Sequence, residues 1–251
     1  MKLTAPETLD GWFVLHDFRR LRWDRWQELT PGKKEQVVDR WQAYLQAHET
    51  VEGEEGVYSA LYRIAGHKGD YLWVHFRPRV EDLLALEREW ETTPAAVLSE
   101  RTFSYLSVVE LSRHSAPPFP EDVDPMTIPA LRERLQPTIP PYRWICFYPM
   151  SKKRGETVNW YQLSGRERAE YMRGHGAIGR KWSDRVKQIV SGSIGLDDWE
   201  WGVSLFADEP LHFKKLVYEM RFDPASALFA QFGPFFIGER MDQAALRSWL
   251  L

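Results

Sequence analysis

The chain has one cysteine, Cys146, among 251 residues. That excludes an internal disulfide and any metal site built on a cysteine cluster, and it fits a reducing compartment. Net charge is also scarce, since 33 basic and 36 acidic side chains leave −3. So small an excess gives no general attraction to nucleic acid or to an anionic membrane surface, and any anion site must be a local cluster. No window approaches ~20 uncharged apolar residues, and Met1 to Glu7 lacks the apolar run of a signal peptide. A cytoplasmic protein without a membrane span is expected.

What the chain has in excess is tryptophan, twelve in all. Aromatics in such number ordinarily fill cores and subunit interfaces, and 43% hydrophobic residues suffice for one large domain or two of ordinary size. The periodicity favours a unit written twice. Gly11 to Leu15 reads as a strand, Pro31 opens a helix striped by Val37, Val38, Trp41 and Leu45, and Tyr58 to Ile64 and Tyr71 to Phe76 alternate around a Gly66-to-Asp70 turn. A helix over Val80 to Leu98, with Leu83, Leu84, Leu86 and Trp90 on its stripe, precedes a strand over Thr102 to Leu111. After a proline-rich stretch, with Pro117, Pro118, Pro120, Pro125 and Pro129 and a short helical piece around Leu131 to Leu135, the same order returns. The second set comprises a strand over Arg143 to Tyr148, a helix over Ser164 to Trp182, strands over Val186 to Val190 and Trp199 to Phe206, a helix over Leu211 to Met220 and a closing strand over Phe229 to Ile237. The expected fold class is α+β: two tandem ferredoxin-like βαββαβ units, residues 1–112 and 142–251, joined by a linker over 113–141. Their sheets should pack face to face as a dimeric α+β barrel, because a sheet covered by helices on one face must bury the other.

Chemistry concentrates in the second half. Tyr148-Pro149-Met150-Ser151 runs into Lys152-Lys153-Arg154, and Met172, His175, Gly179, Trp182 and Val186 recur at helical steps. Ser164 and Glu167 form a capping box that starts this helix, and Gly174 and Gly176 flank His175 at a cost of ~1 kcal/mol each relative to alanine. The cost suggests close approach of a backbone or a flat ligand. Tyr148 shares a strand face with Cys146 and Trp144, opposite Phe147 and Ile145. A phenol can give up an electron and a proton, a cation cluster can hold carboxylates, and a neutral imidazole can hold iron, which together suggest haem chemistry on an acidic porphyrin. Each part also has an ordinary explanation: a satisfied core histidine, a packing tyrosine, a solvated basic loop. Gln188, between Val186 and Val190, should be a buried amide, while Asp198 and Glu200 should lie on a solvated edge. Gly192 to Gly195 lacks the lysine and strand-to-helix setting of a phosphate loop and reads as a turn.

The blocks Tyr-Pro-Met-Ser-Lys-Lys-Arg at 148, His-Gly-Ala-Ile-Gly-Arg-Lys at 175, Gly-Ser-Ile-Gly-Leu-Asp-Asp-Trp-Glu-Trp-Gly at 192 and Tyr-Glu-Met-Arg-Phe-Asp at 218 resemble the coproheme decarboxylase branch of the chlorite dismutase family. The resemblance extends across essentially the whole chain. It implies a cytoplasmic homopentamer, transient contact with a ferrochelatase, no nucleic-acid or membrane partner, and an iron porphyrin in the C-terminal half. It further implies His175 as the axial iron ligand, Tyr148 as the redox-active phenol and Lys152 as a propionate partner that manages a proton. Arg134, Arg221 and Ser226 would bind carboxylates, and Pro149, Met150 and Ser151 would complete that wall.

The implied reaction uses hydrogen peroxide to remove carbon dioxide from two propionates of iron coproporphyrin III (coproheme), giving haem b, with substrate and product acting as their own cofactor. Gln188 stands where chlorite-splitting members resemble one another in having arginine, which argues against chlorite turnover; Trp182 departs from a commoner tyrosine. A chlorite dismutase-type enzyme, a non-catalytic haem carrier or sensor, and a purely structural barrel are the alternatives.

Overall fold

The computed structural model describes residues 5–113, 119–120 and 123–251. Met1 to Thr4, Pro117 and Pro118 lie outside the described residues. In the first unit β1 (Thr8–Leu21) is followed by α1 (Trp23–Gln27) and α2 (Pro31–His48), then β2 (Ser59–Ile64), β3 (Tyr71–Arg77), α3 (Val80–Glu91), α4 (Pro94–Val97) and β4 (Ser99–Ser112). α5 (Pro129–Leu135) precedes the second unit, which comprises β5 (Trp144–Lys152), α6 (Gly165–Lys181), β6 (Lys187–Gly192), β7 (Trp201–Ala207), α7 (Leu211–Met220), α8 (Pro224–Ala227), β8 (Ala230–Phe232), β9 (Phe236–Met241) and α9 (Gln243–Leu250). Among the described residues no helix is long and apolar enough to cross a membrane.

The strands form one antiparallel sheet in the order β7-β6-β4-β1-β3-β2-β9-β5-β8, and a further β5–β7 pairing closes it. Within each unit the order is the same, β4-β1-β3-β2 in the first and β9-β5-β7-β6 in the second. The two units meet at reciprocal seams: Leu61 to Ile64 of β2 pair with Gly238 to Met241 of β9, and Val108 and Val109 of β4 pair with Gly192 and Ser191 of β6. The dimeric α+β barrel is therefore present, and its halves are hydrogen-bonded edge to edge as well as packed across the interior.

Alternation along each strand sends one set of side chains inward and the other outward. Trp12, Val14, Phe18, Tyr62, Val74, Phe76, Tyr105, Ile145, Phe147, Phe206 and Phe236, drawn from both units, fill the interior. The outer face of the first unit is sealed by α2 and α9, whose Trp41, Tyr44, Leu45, Leu246 and Leu250 pack with Trp73 and Trp90. α9 thus belongs to the cover of the first unit, tied there by ion pairs from Arg247 to Glu35 and Asp39.

Several expectations shift. Leu84 is 57% exposed, because the apolar stripe of α3 is carried by Leu83, Leu86 and Trp90 alone. The closing strand is broken between β8 and β9 at Gly233-Pro234-Phe235, where Pro234 lacks the N–H a ladder needs. The short helices α1 and α9 are additional to the predicted order. α5 is docked, with Leu131 and Leu135 buried, and it packs on β1 and β4.

That docking is tight at Gly11, where an added Cβ would come within 1.9 Å of the Leu135 carbonyl oxygen. Gly11→Ala is expected to lower stability in urea unfolding by about 1–3 kcal/mol, the usual cost of overpacking. An unchanged midpoint would mean that α5 does not dock on β1.

Candidate functional site

The outer face of the second unit is where candidate residues converge. β5 presents Trp144, Cys146, Tyr148 and Met150 there, joined by Val190, Val203, Leu205, Phe213, Leu216 and Phe232. α6 should cover this face as α2 covers the first unit. It does not do so in the same way: α2 buries Val37, Val38, Trp41, Tyr44 and Leu45, whereas no residue of the 17-residue α6 is buried. α6 packs mainly on α7 and α8 instead, and only its partly buried Ile178 joins the apolar cluster of this face.

The capping box predicted for α6 is present: the Glu167 backbone N–H donates to Ser164 Oγ, and the Glu167 carboxylate accepts from the Ser164 N–H. It fixes the helical phase, placing His175, Gly179 and Trp182 on a partly buried stripe. Met172, expected on that stripe, is exposed, and Tyr171 takes the packing position against Phe229 and Trp160. No backbone from elsewhere in the chain presses on the α6 glycines. A Cβ at Gly174 would meet Asp223 Oδ1 at 3.8 Å, at Gly176 an Arg180 nitrogen at 3.3 Å and at Gly179 Met220 Cε at 3.7 Å. Intramolecular backbone packing therefore does not explain the three glycines.

His175 Nδ1–H donates to Asp223 Oδ2 at 2.8 Å. Asp223 is buried, caps α8 and also accepts from the Ser226 N–H. A carboxylate on Nδ1 fixes the tautomer that leaves the Nε2 lone pair free, the support that metal-bound histidines ordinarily have. Among the described residues no three His, Cys, Asp or Glu side chains converge on a metal position. An ion held at Nε2 must bring its other ligands with it, as a tetrapyrrole does.

On β5, Tyr148 is 8% exposed and stacks on Phe235 at 4.4 Å between ring centroids. Its hydroxyl makes no hydrogen bond to any described residue. Burial, with a smaller contribution from Cys146, pushes the phenol far above its ordinary value, and Arg221 partly opposes this. Arg221 itself lies over Phe232, its guanidinium carbon 3.8 Å from the ring centroid. Burial also pushes the Cys146 thiol up to about 12, so it does not compete as a thiolate.

Lys152 ends the same strand. Its Nζ donates to the Ala225 carbonyl at 3.2 Å and sits 4.4 Å from the Trp160 ring centroid. Burial lowers the ammonium to about 8, against the opposing pull of Asp223 and Glu200. Before it, Pro149 accepts from Gly233 N–H, and Met150 O and Ser151 Oγ both accept from Glu200 N–H. The end of β5 and the α7–α8 corner thus meet: Lys152 reaches the Ala225 carbonyl beside Ser226, Arg221 acts on Tyr148, and His175 of α6 is tied to Asp223 and Ser226.

Four expectations change. Gln188 is exposed, and its side-chain amide makes no hydrogen bond to any described residue, although its neighbours Val186 and Val190 on that face belong to the apolar cluster. Glu200 is only 7% exposed, since the turn before β7 folds it under Ser151 and Lys152. Ser226 Oγ lies 3.4 Å from both His175 Nδ1 and Asp223 Oδ2, so it faces that pair. Arg134 is exposed on α5, which packs on the first unit. Asp223 and Phe235 were not singled out from sequence. Asp223 before Pro224 is legible as a helix cap, but not as the partner of a histidine 48 positions away.

The profile of the chlorite dismutase family matches residues 34–241. A coproheme decarboxylase of Thermus thermophilus is 43% identical over 254 residues, covering 100% of this chain and 99% of that protein. A solved heme-binding protein, also from Thermus thermophilus, superposes with a TM-score of 0.90 at 41% identity, covering 98% of this chain and 97% of that one. A Natronomonas pharaonis protein with a provisional heme-binding name is 43% identical over 97% of this chain, which spans 41% of its length.

Asp223→Asn is expected to weaken binding of a ferric porphyrin about 10–100-fold in an absorbance titration, the usual cost of losing a carboxylate behind a metal-bound histidine. Unchanged affinity would remove His175 from ligation. Lys152 gives a pH prediction whose sign follows from its position near 8: below that pH the ammonium is charged and able to pair with a carboxylate, above it the amine is neutral. Porphyrin affinity should fall as pH rises through about 8, and Lys152→Arg should abolish that fall.

Proposed function

Because the chain belongs to the chlorite dismutase family, we propose that it is a coproheme decarboxylase. It converts iron coproporphyrin III to haem b with hydrogen peroxide as co-substrate, as the last step of a coproporphyrin-dependent haem synthesis. The observation that carries this reading is the pairing, on one strand, of a buried phenol whose hydroxyl bonds to no described residue, Tyr148, with a half-buried cation, Lys152, in a molecule whose His175 is held at Nδ1 by Asp223. A carrier or sensor needs the histidine alone; the phenol and the tuned amine point to chemistry on a carboxylate side chain.

In this reading His175 ligates the substrate iron through Nε2, with Asp223 holding the ring in register. The iron and peroxide supply the oxidising power. Tyr148, after giving up an electron and its proton, takes a hydrogen atom from the carbon that becomes the ring-attached vinyl carbon; the resulting carbon radical gives up the second electron as its neighbour's bond to the carboxylate breaks and carbon dioxide leaves. The neutral, buried phenol must shed a proton whenever it loses an electron. Lys152 and Arg221 hold the carboxylate in front of it, and Lys152, near 8, returns or accepts that proton at neutral pH. Each propionic acid group and one peroxide give one vinyl group, one carbon dioxide and two waters. Met150, Ser151 and Pro149 shape the carboxylate wall, Ser226 backs the His175–Asp223 pair, and Gln188 offers a distal amide without charge. That lack of charge supports decarboxylation over chlorite turnover, which would gain from a cation to hold the oxyanion. In the same reading the protein works in the cytoplasm as a homopentamer and receives its substrate from a ferrochelatase.

Anaerobic loading with ferric coproporphyrin III followed by stepwise peroxide is expected to give a mono-decarboxylated species and then haem b in mass spectra. Tyr148→Phe should bind within about tenfold of the parent, the scale of one hydrogen bond, yet form neither product. Tight binding with bleached pigment alone would overturn the assignment.

A further inference from the structure

Glu200 is a buried carboxylate that the mechanism above does not use. It sits in the turn entering β7 and is 7% exposed. Its carboxylate and its backbone N–H both face the segment that carries Lys152. Oε2 accepts from the Lys152 backbone N–H at 2.7 Å, and the Glu200 N–H donates to Met150 O at 3.1 Å and Ser151 Oγ at 3.2 Å. Oε1 lies 3.7 Å from Arg154 Nε. A carboxylate taken out of water is costly unless it is paired, and here the compensation comes from residues 150 to 154. The contacts span the last residues of β5, where the strand also gains β8 as a neighbour.

We infer that Glu200 is a positioning residue for the substrate-carboxylate site: by accepting from the Lys152 backbone N–H it fixes the end of β5 and with it the place of the Lys152 ammonium beside the Ala225 carbonyl and the Trp160 ring. The inference rests on the reading of Lys152 as a carboxylate partner. The charges bearing on Lys152 are Asp223 from the α8 side and Glu200 from the β7 side, both favouring the protonated form against burial. Those bearing on Glu200, besides Lys152 itself, are Arg154 and the phenols of Tyr161 and Tyr105. Asp223 is already engaged by His175, which leaves Glu200 as the carboxylate whose removal alters Lys152 without disturbing ligation.

The test uses the full chain and zinc coproporphyrin III, whose fluorescence reports binding without peroxide chemistry or ionisation of water on ferric iron. The parent should lose affinity above about pH 8. Glu200→Gln should move that alkaline limb to lower pH by about half a unit or more, the direction set by removing a nearby negative charge from a cation. Glu200→Asp, which keeps the charge but draws it back, should move it less, and Lys152→Arg should remove the limb in either background. If Glu200→Gln does not fold, the aspartate variant alone decides, through a smaller displacement in the same direction. An alkaline limb that stays in place in the folded variants would overturn the inference and leave Glu200 as a brace of the strand; so would a parent protein with no such limb. If the parent binds the porphyrin but fails to decarboxylate coproheme, a displaced limb still assigns Glu200 to Lys152, and only the catalytic reading falls.

Discussion

A sheet with two apolar faces must have both of them covered, and the rest of this structure depends on how that demand is met. Closing β7 onto β5, with the reciprocal seams β2–β9 and β4–β6, turns the inner faces of both units toward one another and satisfies them together. The outer faces must then be covered separately, and the two units differ there. Over the first, Trp41, Tyr44, Trp73 and Trp90 interlock in edge-to-face contacts near 5 Å between centroids. Over the second, α6 buries none of its residues and leans on α7 and α8. One copy of the unit is thus tightly packed under its helix, and the other leaves its helix, which carries His175, without a buried residue.

Within the second unit three groups take different roles because their surroundings differ. Asp223 fixes the His175 tautomer and so leaves the Nε2 lone pair free. Tyr148 is kept neutral by burial and by the lack of any cation close enough to reverse it. Lys152 is buried enough to lose most of its basicity but is held near neutrality by Asp223 and Glu200. An imidazole with a fixed tautomer, a neutral phenol and a cation of lowered basicity arise from desolvation balanced against one or two carboxylates. The Phe235 ring stacked on Tyr148 belongs to the interruption between β8 and β9, and the Phe235 carbonyl accepts from Lys68 of the β2–β3 turn. The first unit therefore holds a wall of the second unit's site.

What could be read in advance was local. The Ser164–Glu167 box, the stripe ending in His175, Gly179 and Trp182, and the alternation of Trp144, Cys146 and Tyr148 all depend on spacings of two to four residues, which backbone geometry sets directly. Errors came where a local rule needed a neighbour to be known. Alternation placed Gln188 correctly on its face but could not say that its amide would lie exposed there. Glu200 was assigned to water because its flanking tryptophans looked like the buried side, whereas the turn folds it under Ser151 and Lys152. Met172 and Leu84 lost their places to Tyr171 and to Leu83 and Leu86 because a helical stripe fixes a face only to within one residue.

The sequence by itself determined the repeated order of elements, the α+β class, the face on which Tyr148 lies and the helix that carries His175; that β5 runs on to Lys152 was not legible there. Short-range periodicity and caps are enough for each of those that were. Only the tertiary structure decided that Asp223 would stand behind His175 and Glu200 beneath Lys152, and that α5 and α9 would belong to the cover of the first unit. It also decided that α6 would bury none of its residues. These pairings join residues tens to hundreds of positions apart, and chain closure over such distances is governed by global packing rather than by any local pattern.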